Sequence, residues 1–80
     1  MNIVVEAFDK KSELLVHEII IENEYVSNVL NAIGLTQDEQ HFLMTGAGGF
    51  DLDKSKIRRI EYIIGQDIYS ERYDFQLGTS

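Results

Sequence analysis

The chain predicts an α+β fold, a small antiparallel sheet with helices packed on one face, in the order ββαβαβ. Three observations carry that expectation. Segments rich in β-branched and aromatic residues stand at both ends of the chain. A polar turn, Asp9-Lys10-Lys11-Ser12, interrupts the first of them and folds it back as a hairpin. Between the ends lies a stretch with isoleucines at helical spacing, opened by Asp53 and stopped by Gly65. With 80 residues there is room for one domain, spanning 1–80, and no second core.

Each element follows in turn. Residues 2–8 form the first strand, with Ile3, Val5 and Ala7 on the core face and Asn2, Val4, Glu6 and Phe8 on the other. Residues 13–22 return as the second strand, where neither face is polar throughout, so its outer surface keeps exposed apolar groups. Asn23 reads as the N-cap of a helix to about Ala32, with Tyr25, Val26, Val29, Leu30 and Ile33 at helical spacing and Gly34 at C′. Thr36 and Glu39 fit a capping box that starts a short helix to about Leu43. Phe50-Asp51-Leu52 is a short strand, and Asp53 caps a helix from Lys54 to Ile64. In that helix Ile57, Ile60 and Ile64 form the buried stripe, with Ile63 beside it, while Lys56, Arg58, Arg59 and Glu61 take the polar side. Residues 72–77 alternate as the last strand, with Tyr73, Phe75 and Leu77 inward.

Composition narrows function. The net charge is −7, and residues 1–53 hold ten acidic groups against Lys10 and Lys11, a net of −8. Such a field repels phosphate backbones, so direct nucleic-acid binding is not expected, whereas steering toward a basic partner is. No cysteine is present, which accords with a reducing compartment. Apolar runs reach three residues, as in Ile19-Ile20-Ile21, far short of a membrane span. Met1 leads directly into a strand-like segment, unlike the basic head and apolar run of a signal peptide, so a cytoplasmic location is expected.

The motifs that resemble chemical sites are incomplete. Gly46-Ala47-Gly48-Gly49 lacks the Lys-Ser/Thr that carries phosphates in a P-loop, and Phe50-Asp51 follows instead, so a turn is expected. His17 falls mid-strand and His41 on a short helix, with no nucleophile motif beside either. Asp51-x-Asp53 lacks calcium-loop spacing, and zinc-ligand patterns are absent. Lys54, Lys56, Arg58 and Arg59 read as a solvated helix face. Accordingly no catalytic residue, metal site or cofactor is expected, and the chain is read as no enzyme. The partner-binding candidates are Glu18, Glu22, Glu24, Asp38, Glu39, Asp51 and Asp53, carboxylates able to imitate a nucleic acid toward a basic surface.

Several segments together carry a family likeness: Val5-Glu6-Ala7-Phe8-Asp9-Lys10 followed by Leu14-Leu15-Val16, Phe50-Asp51-Leu52 leading into residues 57–65, and Tyr73-Asp74-Phe75-Gln76-Leu77. They resemble small bacterial immunity proteins of contact-dependent growth inhibition, or toxin–immunity, systems. The likeness covers both ends and the main helix and is weakest over residues 23–49. It implies a protein, monomeric before complex formation, that binds a cognate toxin domain and occludes its active site. A basic nuclease, with ribonuclease favoured, suits that role, because a nuclease must be basic to hold its substrate. Two other readings stand beside it: a module that self-associates through an exposed sheet face, and a small enzyme with an unrecognised carboxylate or histidine site.

Overall fold

The computed structural model describes residues 2–46 and 49–80, so Met1 and the Ala47-Gly48 part of the glycine-rich turn lie outside the described residues. Seven elements follow one another: β1 (Ile3–Asp9), β2 (Leu15–Ile21), α1 (Asn23–Ala32), α2 (Gln37–Met44), β3 (Phe50–Leu52), α3 (Lys54–Ile64) and β4 (Tyr73–Thr79). The class is the expected α+β, and the order is ββααβαβ, because the capping-box segment is a helix of its own. The four strands form one antiparallel sheet in the order β2-β1-β4-β3. The last strand therefore inserts between the first and the third.

The hairpin is closed by its turn chemistry. The Asp9 carboxylate accepts hydrogen bonds from the backbone N–H of Lys11 at 2.8 Å and Ser12 at 2.9 Å. These bonds, that from Ser12 first, hold the Asp9 carboxyl below the ordinary carboxylate range. Glu13 then takes a left-handed backbone with φ 61, the one such non-glycine residue among those described. Along the strands the register breaks between Ala7 and Phe8: Ala7 faces His17 and Phe8 faces Leu15, which leaves Val16 as the bulged residue.

One face of the sheet is covered. Ile3, Val5 and Ala7 of β1 are buried as expected, and they join Ile21, Leu52, Phe75 and Leu77 in the core. The helices supply Val29, Leu30, Leu43, Ile57 and Ile60, and Ile33 joins them from the C-cap of α1. Burial of side chains such as Ile57 and Ile60, both 0% exposed, contributes about 1.5–3 kcal/mol each. Tyr25, Val26, Ile63, Ile64 and Tyr73 pack against the margin of this core and are only partly buried.

The caps follow local rules with one shift. Thr36 accepts from Glu39 N at 3.1 Å while Glu39 Oε1 accepts from Thr36 N at 3.0 Å, the reciprocal capping box. Asp53 accepts from Lys56 N at 2.8 Å. Gly34 and Gly65 take left-handed φ of 79 and 68 after their helices. For α1 the N-cap is Glu22 rather than Asn23: Glu22 keeps an extended backbone, no side chain caps the end, and Asn23 is already helical. β4 begins at Tyr73, one residue later than expected, and runs on to Thr79; beyond its end, Asn2 and Ser80 exchange backbone hydrogen bonds at 2.8 and 2.9 Å.

Glu61 departs most from expectation. It is not on the polar side of α3 but buried, at 8% exposure. The segment after Gly65 folds over it, and its carboxylate accepts from Ile68 N at 2.6 Å and Tyr69 N at 2.9 Å. Arg58 Nη1 donates to its other oxygen at 2.8 Å. Burial pushes the Glu61 carboxyl up, but the two backbone donors and the guanidinium outweigh it and hold the group below its ordinary value. Its work is structural: it ties the 65–72 connection to α3 and so sets the entry into β4.

Candidate functional site

The sheet face away from the helices carries a row of polar side chains in register. Glu18 of β2 faces Glu6 of β1, Glu6 faces Gln76 of β4, and Gln76 faces Asp51 of β3. Directly paired residues share a face, so Glu18, Glu6, Gln76 and Asp51 cross the sheet as one line of roughly 14 Å, three strand spacings. Glu18 and Asp51 are exposed at the two edges, while Glu6 and Gln76 are half-buried between them. Among the described residues, none of the three carboxylates lies within 4.0 Å of a cation; the ion pairs there are Lys10–Asp74 at 3.9 Å and Arg58–Glu61.

Glu6 and Glu18 are therefore like charges set directly opposite each other, an arrangement that costs about 0.2–1 kcal/mol in a free sheet. Apolar groups flank the row. On one side Ile20 faces Val4, and Val4 faces Gly78. A Cβ at Gly78 would run into the Glu6 carboxylate, which lies over that glycine. On the other side Leu15 faces Phe8, and Phe8 faces Asp74. Ile20 is 55% and Leu15 47% exposed, while Val4 is buried although it belongs to this face. The surface can place carboxylates against a partner's cations while apolar neighbours exclude water.

Of the seven candidate carboxylates, the structure brings Glu18 and Asp51 onto this row and distributes the rest over helix starts. Glu22 is the N-cap residue of α1 and Glu24 lies in its first turn. Asp38 and Glu39 occupy the first turn of α2, where Glu39 closes the capping box. Asp53 caps α3. Carboxylates at these positions favour the positive ends of helices, so local stability accounts for them. Glu6 and Gln76 belong to the row and were not among the candidates. Glu6 was placed on the outer face by strand alternation, but its pairing with Glu18 depends on the bulge at Val16, which has no local signature.

The other motifs lie off this row. His17 stands on the helix side of the sheet, opposite Ala7, and meets Tyr73 edge to face at 5.3 Å. His41 is exposed in the last turn of α2. Lys54, Arg58 and Arg59 of α3 line a shallow groove of about 740 Å³ beside Ala32. Arg59 Nη1 donates to the Ala32 carbonyl at 3.1 Å, and Lys54 and Arg58 each lie 5.3 Å from the Tyr69 ring. Among the described residues no three metal-ligating side chains converge, and no helix is long and apolar enough to cross a membrane.

No curated protein and no solved structure matches the chain. One protein family does, over residues 2–78, which takes in every strand and helix described above except Thr79, the last residue of β4. The chain therefore belongs to the family described as Domain of unknown function (DUF7683).

Proposed function

We propose that this protein is a binding protein that docks its open sheet face on a basic protein, and that the partner is a cognate toxin domain which it neutralises by occlusion. The observation that carries the reading is the Glu6–Glu18 pair: two carboxylates opposed on the open face with no cation within 4.0 Å among the described residues. A partner's lysine or arginine would turn that repulsion into attraction, and Asp51 extends the same charge toward the other edge. The likeness to immunity proteins supplies the class of partner, and a nuclease supplies the basic surface. The reading needs no catalytic group, metal or cofactor, and places the protein in the cytoplasm, where such a toxin acts.

Calorimetric titration against a toxin domain found encoded beside this chain's gene tests the proposal, and a gene neighbourhood that holds no toxin counts against it. A one-to-one complex is expected, weakening as salt rises. Glu18→Lys is expected to weaken it strongly while the protein stays folded. Absence of a complex, or a complex indifferent to both salt and Glu18→Lys, overturns the proposal.

A further inference from the structure

The open face ends at β2, and this edge is unprotected in a way the other is not. β2 runs seven residues, Leu15–Ile21, and among the described residues no strand lies beyond it and no backbone hydrogen bond reaches its outer row of N–H and C=O groups. Natural edges are blunted by shortness, lysine or proline. β2 contains neither residue, and its guards are the Val16 bulge and Glu18. Val16 is 46% and Ile20 55% exposed along it, and Leu14 just before it 68%, large apolar groups left open to solvent.

We infer that β2 receives an extended segment of the basic partner as a fifth strand, with a lysine or arginine opposite Glu18 and apolar residues opposite Ile20 and Val16. The inference rests on the proposed binding role of this face and specifies how the partner is held. An exposed strand edge accepts extended backbone, and alternate side chains then read the sequence. Charge selects the occupant. Two copies of this chain meeting antiparallel through a two-fold axis, helices on one side, pair like faces. The registers that engage most of β2 then set Glu18 opposite or diagonal to its own copy, within about 8 Å. Each copy also carries a net charge of −7. A basic strand meets none of this repulsion, and it extends the Glu18–Glu6 row by the cation that the row lacks.

The test uses amide hydrogen exchange and chemical shifts of the intact protein. The probe is the peptide Thr-Ile-Thr-Lys-Thr-Ile-Thr, beside a version N-methylated on its lysine and isoleucines, whose N–H groups face β2 when they stand opposite Glu18, Ile20 and Val16 in an antiparallel pair. The peptide is expected to raise protection of the β2 amides by about tenfold, and the N-methylated version to leave them unchanged. Glu18→Lys is expected to reverse the preference toward a peptide with glutamate at the centre. Shifts around Glu6 and Asp51 without added β2 protection at millimolar peptide overturn strand addition. If the toxin domain binds while the peptide leaves β2 unprotected, this inference falls alone and the binding role stands. If neither binds, both fall. Protection of β2 that grows with protein concentration in the absence of peptide makes a second copy the occupant and overturns the inference.

Discussion

The sheet has two edges, and they are finished differently. β3 is three residues long, with Leu52 and Phe50 turned into the core margin, and it passes at once into a capped helix. β2 is seven residues long, and apart from Ile21 and the half-buried Ile19 it is exposed throughout. Residues in β3 earn their place by packing, whereas most of β2 adds little to the fold beyond its ladder with β1. A strand that contributes so much exposed apolar surface and so little core is better suited to contact with something else. Core packing and exposed apolar surface are thus divided between opposite edges of one small sheet.

Truncation at each edge measures that division most directly. Leu52→Ala, at a site 6% exposed, is expected to cost about 2–4 kcal/mol in urea unfolding. Leu15→Ala in β2 is expected to change stability by less than about 0.5 kcal/mol. Equal losses at the two sites would mean that β2 is packed in solution, and the contrast would break.

Next in size is the tether that delivers β4 to its place beside β3. Glu61→Gln is expected to cost about 2 kcal/mol, because two backbone donors and a guanidinium lose a charged acceptor. The Glu61 carboxyl is depressed in the folded state, so its contribution is complete above the unfolded value, about 4.5, and is lost as pH falls through the folded one. The stability difference between the parent protein and Glu61→Gln should therefore shrink steadily below that pH in parallel melts. A constant difference would deny the carboxylate this role.

Smaller effects sharpen the account of β2. Glu18→Gln is expected to stabilise the free protein by about 0.2–1 kcal/mol, by removing the repulsion with Glu6. The same substitution should weaken the complex with a basic partner, and thermal melts beside calorimetry read both signs. Glu13→Gly is expected to stabilise the hairpin by about 0.5 kcal/mol. The left-handed backbone costs glutamate about 1–2 kcal/mol, and the added freedom of glycine in the unfolded chain offsets about 0.5–1 of it. Partner binding should not change, and a change would tie the turn to the interface.

What the amino-acid sequence determined by itself is the set of features governed by near neighbours. The capping box at Thr36 and Glu39, the Asp53 cap, the isoleucine stripe of α3 and the inward face of β1 depend on contacts within a few residues. These were legible, with boundaries shifted by one or two residues where hydrogen bonding fades. Tertiary structure decided three things. It inserted β4 between β1 and β3, a choice made by the burial of Phe75 and Leu77 against both neighbours. It buried Glu61, because the donors that stabilise the carboxylate arrive from Ile68 and Tyr69 after the chain has turned back. It also placed Glu18 rather than His17 opposite Glu6: the bulge at Val16 slips the register by one residue, and in a strand with a period of two that slip changes the face. The candidate site was readable as an excess of acid, but its assembly into a row waited on strand order and register, which no local pattern encodes.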